Sequence, residues 1–333
     1  MKKFLFALVV ASLSLPAAEA ADPPRKGKVT VSKATKTAKA SRVSRASKSV
    51  VKRSRASKAV VHRARVSRRV VAPQPLLDDP AHLEVKSTSA LVIEQGEGRT
   101  LYAKNIDAVV PIASITKLMT AMVALDARLD LREGVEITDD DVDLLKHTRS
   151  RLKIGTVLER DELLRLALMA SENRAASALG RAYPGGIRAF VAAMNRKAFE
   201  LGMMHTRFVD STGLSSDNVS SAQDLAKMVT AAYRYPLIQE YTTLTGHVVR
   251  TSEGRLLAFR NSNGLVKDDT WHIDVSKTGY ISEAGRCLVM QARIAAKPVI
   301  IVLLDSWGKY TRIGDANRIK RWVESAQARP APG

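Results

Sequence analysis

From about residue 85 the chain alternates short apolar runs with longer periodic ones. Ala90-Leu91-Val92-Ile93 and Thr100-Leu101-Tyr102-Ala103 flank a turn containing Gly96 and Gly98, which predicts a β-hairpin. Ile115, Leu118, Met119, Met122 and Val123 recur at helical spacing and predict a helix over 114–127. Residues 162–170 are apolar almost all round, the pattern of a buried helix. Residues 189–201 and 222–233 predict two further helices. Ile273, Val275 and Lys277 alternate as one side of a strand. Residues 286–294 and 298–305 predict paired strands, and 312–326 an amphipathic closing helix. Strands at both ends with helices between them predict an α+β fold whose terminal segments share one sheet.

Ahead of this region the pattern breaks down. Lys2 and Lys3 precede an apolar stretch over 4–15, and Ala18-Glu19-Ala20 offers small residues for a signal peptidase, so 1–20 reads as an export signal cleaved after Ala20. The stretch is too short for a stable anchor, and no later run approaches about 18 apolar residues, so the mature chain is expected in the periplasm, soluble or peripherally attached. Residues 21–84 form a low-complexity linker. Arg25 to Arg69 holds 17 Lys or Arg and no acid, nearly the whole net charge of +20. Ser44-Arg45-Ala46-Ser47-Lys48 recurs ten residues later, with Val-Val pairs at 50–51, 60–61 and 70–71. That period fits no solenoid unit, and the expectation is a disordered, self-repelling tether. It serves either as an adhesive for an anionic envelope surface or as a spacer. Nucleic acid is not an expected partner, since the charge belongs to the tail and the signal directs export. Residues 85–326 are the globular domain and 327–333 a frayed end. The lone Cys287 lies in an apolar run and reads as a buried, inert thiol.

Three short motifs carry the candidate chemistry: Ser114-Ile-Thr-Lys117, Ser171-Glu-Asn173 and Lys277-Thr-Gly279. Ser-x-x-Lys occurs four times, starting at Ser49, Ser114, Ser150 and Ser306. Ser49 falls in the linker, Ser150 runs into Gly155, and the Ser306 match contains a glycine. Ser114 opens an amphipathic helix, where backbone N–H groups are free and the dipole favours negative charge. Lys117 lies one turn on, and a neutral amine there accepts the serine proton. Taken alone, the pair reads as an N-capping serine and a surface lysine. Ser171-Glu172-Asn173 interrupts a buried helix and needs partners or water. A second Ser-x-Asn, Ser216 to Asn218, sits in a Gly/Ser-rich loop. Lys277 continues the apolar side of its strand, which predicts partial burial and a cation that helps keep Lys117 neutral. Gly279 permits close approach of a backbone or ligand. The chain has neither a nucleophile-elbow Gly-x-Ser-x-Gly nor His-Glu-x-x-His, and no metal or cofactor is expected.

The order and spacing of the three motifs, 57 and 106 residues apart, resemble those of β-lactamases and penicillin-binding proteins. Pro111-Ile-Ala-Ser-Ile-Thr-Lys-Leu-Met-Thr-Ala-Met-Val, Leu168-Met-Ala-Ser-Glu-Asn-Arg-Ala-Ala, Thr206-Arg-Phe-Val and Ser211-Thr-Gly-Leu-Ser narrow the resemblance to the D-alanyl-D-alanine endopeptidases of the penicillin-binding protein 7 type. It covers roughly 85–326. It implies a β-lactamase/D,D-peptidase-like fold, an antiparallel sheet flanked by helices with a mainly helical subdomain. It implies Ser114 as nucleophile, Lys117 as general base, Ser171 as proton relay and Asn173 as an orienter of substrate amides. Lys277 and Thr278 would hold a substrate carboxylate, with Gly279 beside them and the Ser114 and Tyr280 N–H groups as oxyanion hole. Peptidoglycan peptides are the implied substrate and β-lactams the implied covalent inhibitors. The 54 residues after Gly279 leave no room for the C-terminal β-domain and anchor of many D,D-carboxypeptidases, which favours the endopeptidase branch. A D,D-carboxypeptidase, a β-lactamase and a non-catalytic wall-binding protein are the competing readings.

Overall fold

The computed structural model describes residues 83–327 apart from Ser252. The signal and almost all of the linker, with the end after 327, lie outside the described residues.

The chain opens with strands β1 (Ser89–Glu94), β2 (Arg99–Lys104) and β3 (Val110–Pro111). A 3-10 turn, Ala113–Ile115, leads into α1 (Thr116–Asp126). Then come β4 (Gly134–Glu136), β5 (Val157–Glu159), α2 (Arg160–Met169), α3 (Asn173–Arg181) and α4 (Gly186–Glu200). β6 (Val219–Ser220), α5 (Ala222–Ala232), α6 (Pro236–Thr243) and the hairpin β7 (Gly246–Arg250) and β8 (Leu256–Arg260) follow. Three long strands, β9 (His272–Ile281), β10 (Gly285–Ile294) and β11 (Lys297–Ser306), precede the last helix, α7 (Thr311–Gln327).

The main sheet is antiparallel with order β2-β1-β11-β10-β9, so both ends of the described chain share it, as the sequence predicts. Its alternation builds two cores. Leu91, Val289, Ile300 and Val302 face the helical side, where they join α1, α2, α4 and α5. Val92, Leu288, Met290, Ile301 and Leu303 face the opposite side and pack on Ala316, Ile319 and Val323 of α7. Each Leu or Met taken fully out of water there contributes roughly 1.5–3 kcal/mol. Asp315 of α7 is wholly buried and accepts from the N–H groups of Lys86 and Ser87 and from Ser87 Oγ, which pins the start of the domain to its last helix.

Several elements escape the apolar pattern. α3 is a nine-residue helix of mostly small residues whose short apolar stripe buries Ala175, Ala176, Ala178 and Leu179. α6 is only eight residues long, with Pro236 at its first turn. β7 and β8 pair, yet leave Val248 and Leu256 exposed. α1 begins at Thr116 rather than 114, after the 3-10 turn. Edge strand β9 carries Val275, Lys277, Gly279 and Ile281 on its helical side, so the edge of the sheet faces the start of α1 and the α2–α3 junction.

Candidate active site

Ser114 sits in the 3-10 turn, and its hydroxyl caps nothing, since the turn is capped by Ile112 without a side-chain hydrogen bond. The N-cap reading is thereby overturned, as is that of a surface lysine. Lys117 is 0% exposed, and its Nζ lies 2.8 Å from Ser114 Oγ, 2.8 Å from Asn173 Oδ1 and 2.6 Å from the Thr212 carbonyl. Burial lowers the pKa of Lys117 to about 7, against the opposing pull of Asp210 and Glu172. Desolvation is the main cause, and repulsion between the two buried amines, Lys117 and Lys277, disfavours charge on either of them. Lys277 falls well below the ordinary lysine range through burial first, then Lys117 and Arg312. Lys277 is also wholly rather than partly buried.

The remaining motif residues converge on the same place. Lys277 donates to Ser171 Oγ at 2.8 Å and to the Thr278 carbonyl at 3.0 Å. Ser171 reaches it from the α2–α3 junction with φ 61°, a left-handed backbone that a non-glycine residue holds only under constraint. Asn173, the first residue of α3, donates through Nδ2 to Thr148 Oγ1 at 3.0 Å. Thr278 Oγ1 donates to Ser262 Oγ at 2.8 Å. Gly279 brings β9 against the Ser114 turn: a Cβ there would lie 2.8 Å from the Ile112 carbonyl and 3.2 Å from Ser114 N. Tyr280 is exposed, with the Arg286 guanidinium 4.4 Å from its ring centre.

The rival motif matches fall away from this cluster. Ser150 holds the N–H of Leu152, and Ser306 is buried against Ser87. Ser49 lies outside the described residues. Asn218, by contrast, underpins the cluster without touching Ser114. Its Oδ1 accepts from Val209 and Asp210 N–H, and its Nδ2 donates to Thr116 Oγ1 and the Asp210 carbonyl. Asp210 in turn accepts from Thr212, Gly213 and Ser215 N–H, holding the Thr212 carbonyl under Lys117. Gly213, at φ 81°, packs on Ala113, itself at φ 48°: a Cβ on Gly213 would meet the Ala113 carbonyl at 2.0 Å.

Sequence reasoning missed Thr148, Asp210 and Ser262, which carry no motif of their own, and gave Thr212 no role beyond the resemblance of Ser211-Thr-Gly-Leu-Ser. It also missed Arg312 in the first turn of α7. Burial and the nearby Arg286 lower its pKa, and among the described residues its Nε and one terminal nitrogen find no hydrogen-bond partner. Cys287 is buried, its thiol pushed up to about 11 by desolvation, in keeping with an inert residue.

Two Ser–Lys pairs meeting at the edge of an antiparallel sheet define a serine peptidase of the β-lactamase/penicillin-binding superfamily. Residues 75–308 match the D-alanyl-D-alanine carboxypeptidase family, and the chain belongs to it. A D-alanyl-D-alanine endopeptidase of Pseudomonas aeruginosa is 47% identical over 262 residues, 78% of this chain and 84% of that one. One from Escherichia coli is 46% identical over 250 residues, 75% and 81% respectively. Among solved structures, a Streptomyces DD-transpeptidase aligns with TM-score 0.67 at 27% identity, covering 72% of this chain and 97% of its own. Penicillin-binding protein D2 of Listeria monocytogenes, in an ampicillin-bound form, aligns with TM-score 0.62 at 31% identity, covering 72% and 98%.

Proposed function

We propose that the protein cleaves D-alanyl peptide cross-links in peptidoglycan through an acyl-enzyme on Ser114. The observation that carries this reading is the hydrogen-bond inventory of Lys117. Asn173 Oδ1 and the Thr212 carbonyl can only accept, so they take two N–H groups. A neutral amine has two N–H groups and one lone pair, and the lone pair is left facing Ser114 Oγ. With a pKa near 7 a large share of the molecules hold that neutral form at neutral pH.

In the proposed sequence Ser114 Oγ attacks the D-alanyl carbonyl as its proton passes to Lys117 Nζ. The oxyanion forms against the N–H of Ser114, with Tyr280 N–H as second donor. Ser171, held by Lys277, passes a proton to the departing amine, and Asn173 orients the substrate amides. Water then takes the place of the amine and releases Ser114. Lys277, Thr278 and the unpaired Arg312 supply the pole for a substrate carboxylate. An arriving carboxylate favours the charged form of Lys277, reversing the effect of burial.

The endopeptidase branch draws support from the two relatives of that name at 46–47% identity. The same pole suits the carboxylate of a penicillin, in line with the ampicillin-bound relative. Periplasmic location follows from the export signal, and no helix among the described residues is long and apolar enough to cross a membrane. The test is digestion of purified cross-linked and uncross-linked muropeptides. Wild type should cut the cross-linked form, and Ser114→Ala should abolish both cleavage and the long-lived adduct with labelled penicillin. Undiminished activity in Ser114→Ala would overturn the assignment, and rapid penicillin turnover would point to a β-lactamase.

A further inference from the structure

The neutral Lys117 has two ways to arrange its hydrogens, and only one is productive. If Asn173 presented Nδ2 to it, the lone pair would accept from that amide and Ser114 would receive an N–H instead. Something must fix which end of the Asn173 amide faces Lys117.

The residue in contact with the other end is Thr148. Its Oγ1 lies 3.0 Å from Asn173 Nδ2 and 2.7 Å from Asp143 Oδ2. Asp143 is itself held: its Oδ1 accepts from Leu145 and Lys146 N–H, each at 2.9 Å, and its Oδ2 accepts from Thr148 N–H at 2.9 Å. These bonds outweigh burial and keep its carboxyl below the usual range, so it is ionised at neutral pH and accepts only. The single hydroxyl hydrogen of Thr148 is therefore committed to Asp143. What remains on Oγ1 is acceptor capacity, and only the NH2 end of Asn173 can use it.

We propose that Thr148, polarised by Asp143, is a positioning residue that sets the direction of the whole chain of hydrogen bonds, from Asp143 through Thr148, Asn173 and Lys117 to Ser114, and so keeps the Lys117 lone pair on the nucleophile. Thr148 touches no reacting atom in this scheme; it acts through the Asn173 amide. The inference rests on the reading of Lys117 as general base.

The test is the rate constant of acylation by labelled penicillin, followed against pH in full-length wild type, Thr148→Val and Thr148→Ser. Valine keeps the shape and the backbone N–H to Asp143 but cannot accept. Thr148→Val should lower the plateau rate about tenfold or more with penicillin affinity before acylation unchanged, and should move the inflection downward by about one pH unit per tenfold loss, because the charged amine can use only the Oδ1 end and the reversed amide adds to the neutral population alone. Thr148→Ser should restore the rate to within about twofold, since its hydroxyl has the same inventory. A valine variant as fast as wild type, or a serine variant as slow as valine, overturns the proposal. So does a loss accompanied by an upward move of the inflection, which would mean that water had reached Lys117. If wild type itself showed no inflection near pH 7, the general-base reading would fail instead.

Discussion

At the scale of single residues, Lys117 governs how the site responds to pH. Its folded-state pKa of about 7 lies below the ordinary lysine value of 10.5, and burial is the cause. In the proposed mechanism the neutral amine is the working form, so acylation should rise with pH through about 7, level off above it, and fall about tenfold per unit below pH 6. Stopped-flow acylation between pH 5.5 and 8.5 checks this, and a flat profile would count against Lys117 as base. The stability sign follows from the same shift. Between these two values the unfolded chain binds the proton and the folded one does not, so burying Lys117 costs most below pH 7 and nothing above about 10.5. The motif letters and an expectation of a neutral lysine were legible in the sequence; the burial that chiefly causes it was not, because the 0% exposure is created by residues more than fifty positions away.

At the scale of elements, two glycines set the packing around the turn before α1, Gly213 from the loop after α4 and Gly279 from β9. Gly213→Ala adds a methyl 2.0 Å from the Ala113 carbonyl on a backbone at φ 81°. The expected outcome is a destabilisation of about 2–4 kcal/mol, read from chemical denaturation, with acylation lost. Gly279→Ala meets the Ile112 carbonyl at 2.8 Å and presses toward Ser114 N. It should slow acylation at least about tenfold while costing less stability, since β9 is an edge strand that can shift outward. Asn218→Ala unseats four hydrogen bonds beneath Lys117 and should cost about 2–4 kcal/mol. The alternation in β10 and β11 and the helical spacing of α1 made those elements readable beforehand. α3 was passed over, although Ala175, Ala176, Ala178 and Leu179 form an apolar stripe, because the helix is only nine residues long and its apolar side chains are mostly small.

At the scale of the whole molecule, the three motifs and their supporting residues all lie within 83–327. A variant lacking residues 21–74 is expected to keep its acylation rate and its thermal midpoint within about 2 °C of the mature form. The basic linker adds 17 cations from Arg25 to Arg69, so adsorption to anionic envelope material at low salt should drop in that variant. Equal adsorption of the two forms, measured by co-sedimentation, would leave the linker as a spacer.

The sequence by itself determined the α+β class, the long strands at both ends, the first helix and the three motifs, because period, spacing and residue type are local or countable properties. Only the tertiary structure decided that the Ser114–Lys117 pair meets a second Ser–Lys pair across space, that Lys117 is wholly buried, and that Thr148 and Thr212 contact the motif residues. Those facts depend on desolvation and on the direction of hydrogen bonds, and both are set by atoms that meet only when the edge of the sheet closes on the helices.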